Sequence, residues 1–313
     1  MVRGIIAYNP IAGRYPSLLL AERAASILRE CDWEITLEQS HSGEHVTELA
    51  RQAAATGLDA IFIAGGDGSL NCAIEGLVGT GTALGVLPSG TANVWAQELG
   101  LPGLSWTRWM ALEESARMLA SADYRQVDVG LCNQRPFLLW AGVGLDGFVV
   151  HRMEPRSRWE KNFAFVNYAA SVVWHASSWR GINLRVVADG KYIEGHCLLA
   201  LISNVHLYAG GLANLSPDAR LDDGMMDLWL FEGDTMGDTV QVAWDLLSGR
   251  HSQSERVHHL VFSELTLESE SKTYVQVDGD PLDVSEQVSI SVLPKALRVL
   301  VPQETPHTLF SMG

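Results

Sequence analysis

The stretch that decides the fold of this chain is Ala64-Gly65-Gly66-Asp67-Gly68-Ser69-Leu70-Asn71, which lies between two patterns of different period. Before it, Asp59–Ile63 is a short apolar run rich in β-formers, which is typical of a buried parallel strand. After it, apolar residues recur at helical spacing, at Leu70, Ala73, Ile74 and Leu77. Ser69 is predicted as the N-cap of that helix. Such a turn can present backbone N–H groups to a phosphate, but glycine also serves any tight strand-to-helix turn.

The same alternation of strand and helix extends over residues 1–124. Strands are predicted at 4–8, 34–40, 59–63 and 83–87. Helices are predicted from residue 17 onward, over 44–56, in a short segment that ends near residue 99, and over 106–122. Short connections between such elements indicate a parallel sheet with helices on both faces. Three loops that combine glycine with polar residues follow strand ends, at 9–14, 65–71 and 88–93. Ligands bind at this edge of open α/β sheets, so the three loops together indicate one binding site.

From residue 125 onward the pattern changes to short alternating runs separated by turn residues. Runs are predicted as strands at 127–129, 137–141, 184–188, 197–202, 226–231, 265–267, 274–277 and 288–292. Asp-Gly pairs at 189–190, 223–224 and 278–279 are typical hairpin turns. We therefore predict an α/β domain over residues 1–124 and an antiparallel β-sandwich over 125–313, with a cleft between them. The last 20 or so residues are expected to return to the first domain.

Composition limits the classes of function. The net charge of −15 argues against a nucleic-acid partner, and membrane contact would need a local basic or aromatic patch. Four widely spaced cysteines, the absence of a signal-peptide pattern, and apolar runs shorter than roughly 18 residues favour a cytoplasmic protein. One candidate for a peripheral membrane contact is the segment 151–179, where basic residues alternate with aromatic ones. A packed helix with a solvated cationic face explains that segment equally well.

Three other motifs are weaker on their own. Gly142–Gly147 matches GxGxxG, but it lacks the parallel unit of a dinucleotide site, so a turn or bulge is the better interpretation. The segment 215–227 has four carboxylates within ten residues, which suits Mg²⁺ or Ca²⁺ but also suits a solvated acidic turn. Asp278-Gly279-Asp280 could accept a proton or hold a metal, and it is equally an ordinary hairpin turn.

Taken together, five loops resemble those of the diacylglycerol kinase catalytic-domain family, which comprises soluble bacterial lipid kinases and their sphingosine and ceramide kinase relatives. The loops follow the family's order, and the resemblance covers nearly the whole chain. They are Asn9-Pro10-Ile11-Ala12-Gly13 (family NPxSG), Gly65–Asn71 (GGDGT), Pro88–Asn93 (PxGTxN), Pro217–Gly224 (PxAxxDDG) and Asp278–Asp280 (DGE).

The resemblance implies transfer of the γ-phosphate of ATP to a lipid hydroxyl, with Mg²⁺ as cofactor. It places the nucleotide against Asn9, Pro10, Gly13, Ser40, Gly65, Gly66, Asp67, Gly68, Ser69, Asn71, Gly90, Thr91 and Asn93. It implies that Asp223 binds the metal with backbone carbonyls of Arg220 and Met225. It implies that Asp278 or Asp280 is the general base, and that the lipid headgroup enters the cleft.

Two positions depart from the family pattern. Val94 follows Asn93 where diacylglycerol-type members usually have an aspartate, which removes a carboxylate from the Mg²⁺ network. Asp280 replaces the usual glutamate, which is one methylene longer. These departures bear on the acceptor lipid and on the choice of base.

The resulting prediction is an ATP- and Mg²⁺-dependent lipid kinase of phospholipid metabolism, cytoplasmic and peripheral at the membrane. A soluble-substrate kinase of the NAD kinase type also uses GGDG, and a regulator that has lost catalysis would explain Val94 and Asp280. The sequence leaves open whether the chain forms a homodimer.

Overall fold

The computed structural model describes residues 2–10, 17–105, 107–153 and 179–311 of the 313-residue chain. It divides into a first unit, Met1–Val129 with Pro294–Gly313, and a second unit, Gly130–Leu293. Both divisions fall inside strands, β5 (Asp123–Cys132) and β15 (Asp280–Val301). The boundary predicted from the sequence at 124/125 also lies in β5. Among the described residues, no helix is long and apolar enough to cross a membrane.

The first unit is built on parallel strands. These are β1 (Val2–Tyr8), β2 (Trp33–Gln39), β3 (Ala60–Gly65) and β4 (Ala83–Pro88), in the order β4-β3-β1-β2. The end of β15 adds to β4, where Val299 pairs with Leu84. Every residue of β3 and β4 is buried, as the continuous apolar runs predicted.

Helices connect these strands. They are α1 (Ser17–Glu30), α2 (Gly43–Ala55), α3 (Asp67–Leu77), α4 (Val94–Glu98) and α5 (Ala111–Ala120). Helix α2 packs against α3, and α1 packs against α5. The buried face of α2 consists of Val46, Thr47, Leu49, Ala50 and Ala53, which recur at helical spacing.

The second unit is formed mainly by antiparallel strands. Its remaining strands are β6 (Arg135–Phe137), β7 (Trp140–Gly144), β8 (Ile182–Ala188), β9 (Lys191–Ser203), β10 (Leu207–Tyr208), β11 (Ala213–Asn214), β12 (Met226–Glu232), β13 (Val257–Phe262) and β14 (Glu264–Val277), and its helices are α6 (Leu145–Met153) and α7 (Met236–Leu247). The order is β13-β12-β9-β7-β14-β15, and β8 pairs with both β9 and β14. The predicted fold class, an α/β domain followed by a β-sandwich-like domain, is confirmed.

Two of the predicted Asp-Gly pairs form two-residue hairpin turns. Asp189 and Gly190 have φ values of 45° and 80°, and they join β8 to β9. Asp278 and Gly279 have φ values of 47° and 86°, and they join β14 to β15. Positive φ at both central positions is what a type I′ turn requires, which explains this dipeptide.

Three local predictions were wrong. Ser69 is not an N-cap, because β3 continues to Gly65 and α3 begins at Asp67 with Gly66 as its N-cap. The run 137–141 is not one strand, because the chain leaves β6 after Phe137 and starts β7 at Trp140. The helix predicted over 106–122 is limited to Ala111–Ala120 within the described residues.

Candidate active site

The predicted nucleotide loops of the first unit leave the sheet at one edge. Tyr8, the last residue of β1, pairs with Gln39 of β2 and with Ala64 of β3, and Gly65 of β3 pairs with Pro88 of β4. Because the strands are parallel and in register, the loops that follow them start side by side. Those loops begin at Asn9, Ser40, Gly66 and Ser89. Gly13, predicted in the first loop, lies outside the described residues.

Two of these loops are in direct contact. The amides of Ser89 and Gly90 both donate to the carbonyl oxygen of Gly65, at 3.0 and 3.2 Å. A β-carbon on Gly90 would lie 2.6 Å from the Cα of Gly66, so a side chain at position 90 would push the two backbones apart. Glycine is therefore required here by the approach of one loop to the other.

Asp67 joins the same two loops through its side chain. Its carboxylate accepts hydrogen bonds from the amides of Val94 at 3.0 Å and Trp95 at 3.2 Å, which are the first residues of α4. Burial raises the pKa of Asp67, while the bonds from these amides lower it. This geometry makes Asp67 an orienting carboxylate that fixes the start of α4.

Asn93 closes the loop between β4 and α4. Its side-chain oxygen accepts from the Gly90 amide, and its side-chain nitrogen donates to the Gly90 carbonyl, both at 2.9 Å. Asn93 has a φ of 54°, a left-handed conformation that asparagine tolerates better than most residues. Thr91, predicted to contact the nucleotide, is exposed within this loop.

The first turn of α3 has the features of an anion site. Its N-cap is Gly66, which has no side chain to bond the first amides, and Gly68 is exposed. Unbonded amides at a helix N-terminus attract negative charge, as a phosphate carries. Ser69 is partly exposed in the same turn. The Ser69 amide already donates to the Gly66 carbonyl at 2.9 Å, so the amides before Ser69 are the ones that a phosphate would meet.

Two other predicted nucleotide residues are buried. Ser40 is anchored to the end of β1, because its amide and its hydroxyl both donate to the Tyr8 carbonyl, at 2.8 and 3.2 Å. Asn71 is 1% exposed, and neither polar atom of its side chain has a partner among the described residues. A buried amide without a partner is costly, so Asn71 is a group that a bound ligand or water would satisfy.

Asp278, one of two candidate bases, has a structural position in the second unit. Its carboxylate accepts hydrogen bonds from the amides of Leu138, Leu139 and Trp140, at 2.8, 2.9 and 3.0 Å. These bonds hold the break between β6 and β7 against the hairpin turn. A carboxylate with three amide donors is a poor acceptor for a substrate proton.

Asp280, the other candidate base, is more accessible. It lies two residues further, at the start of β15, and its carboxylate pairs with the guanidinium of Arg135 at 3.0 Å. The side chain is 37% exposed. Asp280 is thus the member of the pair whose carboxylate is open to solvent.

The predicted metal loop places one carboxylate among backbone groups. Asp223 is exposed, and it accepts a hydrogen bond from the Met225 amide at 3.0 Å. Although the residue as a whole is exposed, the loop around its carboxyl group partly desolvates it and raises the pKa of Asp223, and the charges of Asp227 and Asp222 raise it further. Among the described residues, no group of three or more His, Cys, Asp or Glu side chains could hold a metal. The predicted set differs from such a cluster because it combines Asp223 with carbonyls of Arg220 and Met225, an all-oxygen set that suits Mg²⁺.

The glycines of the GxGxxG motif serve packing. Strand β7 passes directly into α6, and a β-carbon on Gly142 would lie 2.0 Å from a carboxylate oxygen of Asp146. That buried carboxylate accepts from Gln276 at 2.6 Å and from the Tyr208 hydroxyl at 2.8 Å. The motif therefore makes room for a buried polar network in the second unit.

One buried carboxylate, that of Asp128, lies outside all the sequence motifs described above. Asp128 lies in β5, is fully buried, and accepts a hydrogen bond from the Lys295 amide at 2.7 Å. Its position between Val127 and Val129 in a predicted strand was the available signal, because an aspartate there points to a specific partner.

Two family models match the chain. The diacylglycerol kinase catalytic domain matches residues 3–132, and the YegS C-terminal NAD kinase beta sandwich-like domain matches residues 141–301. Similar proteins include a diacylglycerol kinase of Bacillus subtilis, which is 26% identical over 285 residues and 90% of each chain. A diacylglycerol kinase of Mycobacterium tuberculosis is 27% identical over 304 residues and 94% of each chain.

The fold is also similar to a solved structure. The crystal structure of a diacylglycerol kinase from Bacillus anthracis superposes with a TM-score of 0.73 over 97% of this chain and 98% of that chain. The sequence identity is 18%, so this likeness concerns the fold alone.

Proposed function

The chain belongs to the diacylglycerol kinase catalytic-domain family of lipid kinases, and from that premise we propose that it transfers the γ-phosphate of ATP to a hydroxyl group of a lipid. The observation that carries the proposal is the pairing of the two glycine loops through Gly65, Gly90 and Asp67. Together with the uncapped start of α3, these loops form a phosphate-binding arrangement in the first unit.

In this proposal, ATP is bound mainly by backbone groups and an amide side chain rather than by charged side chains. The backbone at Gly66–Gly68 and the side chain of Ser69 face the phosphates, and the buried amide side chain of Asn71 provides a donor and an acceptor. The loop that starts with Asn9 and Pro10 begins beside them at the end of β1. Asp67 keeps the two loops in register rather than taking a proton.

Asp280 is the general base in this proposal. The lipid hydroxyl gives its proton to the Asp280 carboxylate while its oxygen attacks the γ-phosphorus. The bond from the γ-phosphorus to the bridging oxygen breaks, and ADP leaves with the electron pair. Arg135 orients the carboxylate, and Asp278 holds the turn that carries it.

Mg²⁺ would be held by Asp223 and the carbonyls of Arg220 and Met225. When bound, it supplies positive charge against the phosphates. Val94 leaves the segment after Asn93 without a carboxylate. For this reason we assign the metal to the 220–225 loop rather than to the loop between β4 and α4.

The acceptor is a diacylglycerol, a sphingoid base or a related lipid. Such a substrate resides in a bilayer, so the reaction takes place during transient contact of a cytoplasmic enzyme with a membrane. The segment 151–179, predicted as that contact, lies largely outside the described residues, since 154–178 are not described. A homodimer remains compatible with this proposal.

A second candidate is phosphorylation of NAD. It is favoured by the description of the second unit's family model as an NAD kinase beta sandwich-like domain. A nucleotide-binding regulator without catalysis is the third candidate, because Val94 and Asp280 depart from the family pattern.

One assay separates these candidates. The protein is incubated with γ-labelled ATP and Mg²⁺, with a panel of lipids in one series and NAD in another. Label in a phosphorylated lipid supports the proposal. Label only in NADP would establish the second candidate, and ATP binding without any labelled product would establish the third.

A further inference from the structure

Helix α7 of the second unit has three different faces. Thr239 and Leu246 are buried, and polar residues lie on another side, at Asp238, Gln241 and Asp245. The third face carries four exposed apolar residues, Met236, Val240, Trp244 and Leu247, which we term the α7 stripe. With 3.6 residues per turn, these four positions fall within an arc of about 80°. The stripe is therefore continuous along the whole helix.

The α7 stripe exposes large side chains to an unusual degree. Trp244 is 63% exposed, Leu247 55% and Val240 54%. Single exposed apolar residues are ordinary, but a contiguous apolar surface marks a contact site.

The N-terminal turn of the helix that carries the stripe is fixed by side-chain contacts. Thr235 and Asp238 form a capping box, and the Asp238 carboxylate also pairs with Arg256 at 2.7 Å. The buried Thr239 and Leu246 then hold the opposite side of the helix against the second unit, which leaves the stripe outward.

We propose that the α7 stripe docks on the surface of an uncharged, zwitterionic lipid bilayer. The proposal rests on the proposed function, because a lipid kinase must reach a substrate that lies in a membrane. Tryptophan favours the boundary between lipid headgroups and acyl chains, and its aliphatic neighbours would enter the acyl region.

The charge around the stripe decides which bilayer it fits. Helix α7 contains no lysine or arginine, and its polar face carries Asp245 together with Asp238, whose charge is offset by Arg256. The whole chain has a net charge of −15. An anionic surface would repel this helix, so the apolar side chains alone drive its docking.

A second copy of the chain is a poorer partner for the stripe. Four part-exposed side chains supply on the order of 400 Å² per copy, so a two-fold contact would bury about 800 Å². Stable interfaces begin at about 1,200 Å². A two-fold contact along α7 would also bring the acidic faces of two helices near each other.

The test measures sedimentation of the full chain with phosphatidylcholine vesicles that contain a minor fraction of diacylglycerol, without ATP. The wild type is expected to sediment with the vesicles. The double variant Val240→Gln, Trp244→Gln is expected to lose roughly tenfold or more in its partition coefficient, and Trp244→Gln alone is expected to lose part of it. Tyr192→Gln removes an exposed aromatic ring from the β8–β9 hairpin and serves as the matched control, with sedimentation unchanged.

Three results would overturn the proposal. They are a wild type that does not sediment with these vesicles, a double variant that sediments like the wild type, and a wild-type dimer in analytical ultracentrifugation that the double variant converts to a monomer. The last result would assign the stripe to a second copy of the chain.

A kinase assay keeps this proposal separate from the proposed function. With short-chain diacylglycerol dispersed as monomers, the double variant should phosphorylate as fast as the wild type, but with vesicles it should be slower. If no lipid is phosphorylated while vesicle binding depends on Trp244, docking stands and the function fails. If dispersed lipid is phosphorylated but vesicle binding is the same in the double variant as in the wild type, the proposed function stands and the docking proposal fails.

Discussion

Asp67 in the first unit and Asp278 in the second lie in motifs of the same chemical character, yet they stabilise different parts of the structure. Asp67 accepts amides from the start of α4 and so joins two loops that were predicted to bind the nucleotide. Asp278 accepts three amides from the break between β6 and β7 and so holds a hairpin turn in place. In both, the carboxylate is occupied by backbone groups. A motif aspartate is therefore not a proton acceptor merely because a motif contains it.

The two units also differ in how they gather polar loops. Parallel strands in register bring the ends of β1, β2, β3 and β4 to one edge. In the antiparallel second unit, the loop at Asp223 precedes β12 and the hairpin at Asp278 follows β14, and only the pairing of strands that are distant in sequence, through Ser203 and Trp140, brings the two to the same end of the sheet. A sequence pattern thus predicts convergence in the first unit but not in the second.

The assignment of the base gives the largest expected effect. Asp280→Asn should lower the rate of phosphoryl transfer about 10²- to 10⁴-fold, because the side chain can no longer accept the hydroxyl proton. Initial rates with saturating ATP and lipid measure this loss. An unchanged rate would exclude Asp280 as the base and return Asp278 to consideration.

The free energy of unfolding should distinguish the same two aspartates in the opposite order, with the larger effect at Asp278. Asp278→Ala leaves three amides without their acceptor, and the free energy of unfolding should fall by about 3 kcal/mol or more. Asp280→Ala breaks only a half-exposed ion pair and should cost less than about 1 kcal/mol. Urea unfolding followed by fluorescence measures both. Equal losses in the two variants would contradict the structural role of Asp278.

Two glycines test the loop contact of the first unit. Gly90→Ala places a β-carbon 2.6 Å from the Gly66 backbone, and it should destabilise the protein by about 1–3 kcal/mol. Gly68→Ala meets nothing within 4 Å and should change the free energy of unfolding by less than about 1 kcal/mol.

The same pair sharpens the assignment of the phosphate site. Gly68→Ala should weaken binding of a non-hydrolysable ATP analogue while stability is kept, because our proposal places the phosphates against the backbone at position 68. Calorimetric titration measures this affinity. Full affinity in Gly68→Ala would move the phosphates away from the first turn of α3.

Asp238 extends the comparison to a partly buried carboxylate near the surface that also accepts hydrogen bonds from backbone amides. Hydrogen bonds from the Thr235 hydroxyl and from the amides of Asp234 and Thr235 lower the pKa of Asp238 from 3.8 to about 2. Since the folded state favours the charged form, the stabilisation is complete above the ordinary pKa and is lost as the pH falls through about 2. The stability difference between wild type and Asp238→Asn should be about 1 kcal/mol at pH 5 and should shrink toward zero between pH 4 and 2. A difference that stays constant over that range would contradict the lowered pKa.

The sequence predicted the elements of the first unit well because the decisive signals there are local. Apolar runs such as 59–63 end in glycine turns, and the register of a parallel sheet then brings those turns together. The N-cap of α3 was predicted three residues late, at Ser69 instead of Gly66, because serine is usually the better cap. The preference for serine as an N-cap is overridden here because a single residue, Gly66, joins the end of β3 to the start of α3.

The second unit was predicted less completely because its decisive contacts are distant in sequence. Nothing near Asp278 indicates that its carboxylate bonds amides at positions 138–140, and the same bonds explain why 137–141 is not one strand. The sequence offered both Asp278 and Asp280 as bases. Only the three-dimensional contacts separate an aspartate that holds a turn from one that is accessible.

The central claim is that this chain phosphorylates a lipid hydroxyl from ATP, and one measurement tests it most directly. A mixed lipid extract is incubated with Mg²⁺ and ATP and either the wild type or Asp280→Asn, and the products are analysed by mass spectrometry. A lipid kinase with Asp280 as its base should form a new lipid phosphate monoester. The variant should form at least about 10²-fold less of that product than the wild type. An extract with no new phosphorylated lipid, under conditions in which the wild type binds ATP, would contradict it.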